Sequence, residues 1–290
     1  MQLQTIVFGL ISGSILAVAA TGFALIRQTE GFLNIAHGQY LLVGAYLGVL
    51  FTGDLGLGLI PAGIAVFVCV GLIALLVARF IYEPVREKGA LVLLFTSVGV
   101  AYVLYATSTI VFGVDIQSFE VDFGEIIEIG SIGITPVELA MIGVFVLTVI
   151  GLVLFFNRTR VGTWVRATAS NPELARVRGV PVRMVSASVY FVAGGLGGVA
   201  GILLGLNSAV TTELGWNSTM LILAATVLGG LGRVYGVMAA AIFLGLVTNL
   251  ATEVVDPSYS TLIAFGALIL VLLIRPEGLF SVERRTEQAA

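Results

Sequence analysis

The sequence predicts an all-α polytopic membrane protein of eight or nine transmembrane or re-entrant helices, some of them broken by glycine. Three observations carry this. Hydrophobic residues make up 58% of the 290 positions and charged residues only 11%, whereas soluble domains carry about a quarter charged residues. Mean hydropathy is +1.09, and the apolar residues gather in runs close to the ~20 that a helix needs to cross the hydrocarbon core. Between the runs, the loops separate by sign of charge.

In chain order, residues 5–26, 61–82, 91–112, 137–156, 186–206 and 260–274 read as spans. The first run has no basic leader and reads as a first span rather than a cleaved signal peptide. Stretches 36–51, 218–231 and 235–251 are shorter or glycine-interrupted, as broken or re-entrant helices are where they line a cavity or lie inside protein. Stretches 36–51 and 228–246 both combine glycines with a short apolar run, a weak likeness of the kind a structural duplication leaves. The 36 glycines suit close helix packing. A single cysteine, Cys69, excludes a disulfide framework and a cysteine metal site.

Acids without any basic residue occupy Asp54, the loop 113–136, Glu213, and Glu253 with Asp256. The other loops hold all fourteen basic residues, with Arg158, Arg160, Arg166, Arg176, Arg178 and Arg183 crowded into 157–185. By the positive-inside rule these loops, and the C-terminus with Arg275, Arg284 and Arg285, are cytoplasmic. If all three short stretches cross, there are nine segments and the N-terminus is outside; if one re-enters, there are eight. The expected organisation is one transmembrane domain, 1–290, with a cytoplasmic loop 157–185 and an acidic external loop 113–136. Within that external loop, EIIEIGSIGI (125–134) allows either a small surface hairpin or an irregular loop.

The stretch 171–179, NPELARVRG, carries its own start and stop signals. Asn171 suits the N-cap and Pro172 the first helical position. Glu173 places negative charge in the first turn, and Arg176 and Arg178 positive charge in the last, as the helix dipole favours. Gly179 supplies a left-handed C-cap. The result is a helix of about two turns, ~10 Å long, too short to persist in water unless it packs on something.

The span cores hold no Asp, Glu, Lys or Arg, with Arg27, Glu138 and Arg233 as candidate exceptions at their ends. A proton-driven carrier would keep an ionisable group there. There is no pair of membrane aspartates, and the one histidine is His37. A hydrolytic dyad of His37 with Ser12, Ser14 or Ser97 is outweighed by small hydroxyls packed between helices. No metal cluster, phosphate loop or nucleotide motif is present, so no enzyme activity, no cofactor and no nucleic-acid partner are expected. Sodium coupling through backbone carbonyls stays open; otherwise the spans can form a path with no energy source of their own, energy would have to arrive through a partner, and 171–179 is the structured cytoplasmic element available to receive it.

Four stretches resemble one family: 31–38 (GFLNIAHG), 160–180 (RVGTWVRATASNPELARVRGV), 228–235 (LGGLGRVY) and 274–279 (IRPEGL). They are similar to the integral membrane subunit of branched-chain amino acid ATP-binding-cassette transporters, the permease that carries an N-x-A-H-G signature. The second stretch is shared with sugar, nucleoside and urea permeases; the signature narrows the choice to the amino acid and urea-type branch. The resemblance implies a prokaryotic cell-membrane permease working by alternating access. It implies as partners two ATPase subunits that bind the ATP, a second homologous permease in a heterodimer, and an extracytoplasmic solute-binding protein. It also implies that Ala169, Asn171, Pro172, Glu173, Leu174, Arg176, Val177, Arg178 and Gly179 form the helix that docks on the ATPase. An amphipathic helix lying on lipid headgroups is the alternative, which the lack of a wide apolar face disfavours.

Asn34 and His37, three apart, share a face if that stretch is helical. They read first as a structural pair bonding backbone carbonyls at a helix end, then as pathway lining, and third as direct substrate ligands. Ser97, Asn207 and Asn249 complete the pathway or gate candidates. The acidic outer face fits a docking surface for the binding protein and equally a high-salt habitat. The competing functions are a permease for urea or short amides, an ion-coupled carrier or channel, and a hydrolase using His37.

Overall fold

The computed structural model describes residues 2–129, 132–256, 259–275 and 278–279. Arg284 and Arg285, with Pro276 and Glu277 of the IRPEGL stretch, lie outside them. The element order is α1 (Gln2–Glu30), α2 (His37–Thr52), α3 (Leu59–Val77), a short α4 (Glu83–Val85), α5 (Ala90–Phe112), β1 (Ile127–Ile129), β2 (Ile132–Ile134), α6 (Pro136–Arg158), α7 (Arg160–Ser170), α8 (Pro172–Val177), α9 (Val182–Asn207), α10 (Leu214–Gly229), α11 (Val234–Ala251) and α12 (Ser260–Ile274). Among the described residues six helices are long and apolar enough to cross a membrane. Helices α2, α10 and α12 add three shorter ones of 16, 16 and 15 residues. The all-α membrane fold is as the composition requires.

The sequence expectation of 260–274 as a span and 235–251 as a short stretch is reversed: α11 is long enough to cross and α12 has only 15 residues. Two boundaries also move into polar residues. Helix α1 runs on to Glu30, so Arg27 is a helical residue and not part of a loop. The second span does not stop near Tyr82: after Val77 the chain widens into a π turn, Ala78–Tyr82, and continues through α4 to a tight turn at Arg86–Lys88. Neither change has a hydropathy signature, because helices extend into polar residues wherever those residues find partners.

Helices α1, α2 and α9 form the centre, with α3 packed on α9 and α11 packed on α1. Glycine permits this closeness. Gly44 of α2 faces Gly198 of α9, and Gly13 of α1 faces Gly245 of α11, so tightly that a Cβ on Gly44, Gly13 or Gly245 would overlap the opposite backbone, while one on Gly198 would run into Val70 of α3. Helices α3, α5 and α6 line the periphery and expose Ile60, Phe95, Ile110 and Leu147, an apolar belt suited to lipid.

Two connections turn back into the bundle. After α1 the chain reverses at Gly31, whose φ is 79°. Segment 31–36 then carries it inward, so α2 begins beside the middle of α1. The His37 Nε2 lies 2.9 Å from the Ala19 carbonyl oxygen, eleven residues and about 16 Å before the end of α1. At the other end, α9 finishes at Asn207 and segment 208–213 turns in, pairing Val210 with Gln117. Helix α10 therefore starts inside as well, with Gly215 against Gln39 and Thr219 against Gly38. It is α10, not the 228–246 stretch, that answers α2 in position.

Strands β1 and β2 pair antiparallel, Ile127 opposite Ile134 and Ile129 opposite Ile132, so the hairpin alternative is the one realised in 113–136. Gln4 of α1 ties it down, donating to the Gly133 carbonyl at 2.8 Å and accepting from the Gly133 amide at 3.0 Å. The loop also drives Phe119 between Gly48 of α2 and Gly205 of α9.

Candidate functional site

Helix α8 is capped at both ends. The Asn171 side-chain oxygen accepts from the Leu174 amide at 2.9 Å. At the far end the Gly179 amide donates to Arg176 and the Val180 amide to Ala175, both at 3.0 Å, with Gly179 at φ 80°; this is a Schellman closure. Ala175 is the buried residue of the helix. Glu173, Leu174, Arg176, Val177 and Arg178 are exposed, Val177 at 83%. The helix is shorter than 169–179. Ala169 belongs to α7, which stops at Ser170 where Asn171 turns to an extended conformation, and Arg178 and Gly179 form the cap rather than helical turns.

The signature segment is buried. Asn34 and His37 do not share a helical face, because the helix begins only at His37; instead the Asn34 carbonyl accepts the His37 amide at 3.0 Å. The Asn34 side-chain oxygen accepts from the Tyr82 hydroxyl at 3.0 Å, which joins the π turn to segment 31–36. Ser97 of α5 accepts from the Ile35 amide at 3.1 Å and donates to the Leu94 carbonyl at 2.7 Å. Asn34, His37 and Ser97 thus come together around one segment. His37 sits in a notch left by Gly22, with Phe23 and Tyr40 edge-on to its ring.

Asn207 and Asn249 are not part of that group. Asn249 donates to the Gly245 carbonyl of its own helix at 2.9 Å. Asn207 lines a separate cavity of about 160 Å³ with Ser12, Ser218, Thr248 and Thr261. There the Ser218 and Thr248 hydroxyls are turned back onto Leu214 and Leu244. A larger cavity of about 530 Å³, between α3, α6 and α9, is lined by apolar residues such as Ile64, Phe67 and Leu147.

Sequence reasoning missed Glu30. Its side chain is 3% exposed and pairs with Arg86 at 3.1 Å, where α1, the chain after α3, and Tyr190 and Ser186 of α9 meet around a small cavity. Nearby, Glu83 receives Arg183 of α9 at 2.9 Å and Arg79 at 2.5 Å. The signal in the sequence was faint: one acid just past an apolar run, of the kind that usually marks a loop. No group of side chains able to hold a metal ion occurs among the described residues.

A multi-pass helical bundle with two in-turning segments and a capped polar helix at its basic end has the architecture of a membrane permease. The same fold occurs in the structure of PsaBC from Streptococcus pneumoniae in complex with Fab, at a TM-score of 0.52 and 16% identity over 96% of this chain and 93% of that one. The chain belongs to the family of branched-chain amino acid transport system permease components, whose family model matches residues 5–272. It is 27% identical to the high-affinity branched-chain amino acid transport system permease protein BraD of Pseudomonas aeruginosa, over 96% of this chain and 95% of BraD. It is also 27% identical to the corresponding permease LivH of Escherichia coli, over 96% and 94%.

Proposed function

We propose that this chain is the membrane-spanning permease subunit of an ATP-binding-cassette importer for branched-chain amino acids. It moves substrate by alternating access, driven by two separate ATPase subunits. A second homologous permease completes the path, and an extracytoplasmic binding protein delivers substrate to the acidic end. The similarity to BraD and LivH along nearly the whole chain supports the substrate class. The observation that carries the coupling role is α8: a helix closed at both ends yet left with Leu174 and Val177 exposed between Glu173, Arg176 and Arg178. Such a helix has both ends capped within its own chain and its side chains left open to a partner, which is what a docking element requires.

The route inward follows from covalent order. The Schellman turn that ends α8 is separated from α9 by 180–181. Helix α9 packs on α1, α2 and α3, and its first turn is tied to the other basic-end helices through Arg183 and Glu83. A push on α8 therefore reaches the glycine-packed centre along one rigid rod.

The test is uptake by the assembled importer in proteoliposomes. Replacing Glu173 and Arg176 together by alanine is expected to lower ATP-driven leucine uptake at least about tenfold, a loss of ~1.4 kcal/mol of coupling, while the permease still folds. Unchanged uptake overturns the assignment of α8.

A further inference from the structure

We infer that an exposed stripe of α10, formed by Glu213, Asn217 and Met220 with Trp216 and Tyr102 beside it, lines the translocation path and binds the zwitterion of an aliphatic amino acid, Glu213 receiving the ammonium group. This rests on the permease reading above and names the residues that meet the substrate.

The first observation is depth. Gly38, the second residue of α2, lies directly on Thr219. Glu213 precedes Thr219 by six residues, so it stands no more than about 9 Å from that level along α10. Helix α2 runs another fourteen residues, about 21 Å, before it ends at Thr52. Glu213 is thus roughly 12 Å inside the acidic end of the bundle, in the zone where α3, α5 and α6 present an apolar belt; the expectation of an external-loop acid there is corrected, because α10 starts inside the bundle.

The second observation is exposure. Glu213 and Asn217 are exposed and Met220 is 55% exposed. The Glu213 side chain makes no capping hydrogen bond to α10. A carboxylate at this depth does not face hydrocarbon; ionisable groups inside a membrane face protein or a water-filled cavity. The chain's own protein leaves this one uncovered. Water therefore reaches it, and in a permease that water is the path, closed from lipid by a second permease opposite.

The third observation is chemical match. Asn217 follows Glu213 by four residues and Met220 by seven, which puts all three on one helical face. Trp216 leans over Tyr102, ring centroids 5.0 Å apart, with Tyr105 at 6.3 Å. A carboxylate beside aromatic faces attracts an ammonium group. The Asn217 amide donates to a carboxylate. Met220 and the Trp216 ring adapt to a branched aliphatic side chain.

The test uses the whole importer with Cys69→Ser as background and a charged methanethiosulfonate reagent. Met220→Cys is expected to react at least about tenfold faster than Leu147→Cys on the periphery of α6, and excess leucine is expected to slow it. Glu213→Gln is expected to cut leucine uptake about tenfold and Glu213→Asp to restore most of it. The inference is overturned if Met220→Cys is as inert as Leu147→Cys, if two copies cross-link through it without reagent access, or if Glu213→Gln transports like the parent. Failure of the parent assembly to take up any branched-chain amino acid removes the permease reading instead, and this inference with it.

Discussion

A methyl group on Gly22 would stand 2.6 Å from the Ala193 carbonyl oxygen and 2.7 Å from His37 Cε1. No side chain fits there without moving α9 or the histidine. Gly22→Ala is therefore expected to destabilise the protein by about 1–3 kcal/mol, seen as a lower midpoint in thermal unfolding of the detergent-purified chain. Glu30 and Arg86 make a sharper case. Removing one partner of a buried pair strands the other, at about 3–5 kcal/mol, while removing both is often tolerated. Arg86→Gln should unfold earlier than the parent, and adding Glu30→Gln should recover much of the loss; equal instability of single and double variants would contradict the pairing. At this scale the sequence was partly readable. Asn34, His37 and Ser97 stand out as polar residues among apolar ones, and they meet around one segment. Glu30 did not stand out, because an acid after an apolar run looks the same whether its partner is water or an arginine 56 residues away.

Helix α8 was readable as an element because capping is local chemistry. Asn171, Pro172 and Gly179 each act on backbone atoms within four residues. Asn171→Ala removes the cap and is expected to cost about 1 kcal/mol, which hydrogen exchange over 171–179 would register as faster exchange with the span amides unchanged. The in-turning segments were not readable in the same way. An apolar run of 16 residues states a length and not a starting depth. What sets the depth of α2 is the bond from His37 to Ala19 and the Gly44–Gly198 contact, both made with distant parts of the chain. The π turn at Ala78–Tyr82 escaped for a related reason: its purpose is to bring Tyr82 to Asn34, and only the fold reveals that contact.

For the whole molecule, composition and the sign of loop charges were enough to give the membrane class and the helix inventory, since both follow from transfer energies summed over many residues. The neighbour relations were hidden. Helix α1 packs along α11, more than 200 positions later, and no periodicity records that. At this scale the prediction concerns energy supply. The chain reconstituted alone should give no leucine uptake under a sodium or proton gradient, and uptake should appear when the ATPase subunits, second permease and ATP are present. Gradient-driven uptake by the chain alone would contradict an ATP-driven importer.

The inward start of α2 also bears on how the protein is made. Its 16 residues span about 24 Å, short of the ~30 Å hydrocarbon core, and the polar residues His37 and Gln39 lie in its first turn. Such a segment has little drive to leave the translocon for lipid by itself. The surface that accepts it, Gly198 and Gly201 of α9, is synthesised only after α3, α5 and α6. Until α9 emerges, α2 has only α3 and α5 to pack on and hardly touches α1, so it stays without most of its surroundings through much of the synthesis. Ribosome-stalled intermediates ending before residue 182 are expected to leave 37–52 accessible to protease or to glycosylation probes, and those extending past 207 to bury it.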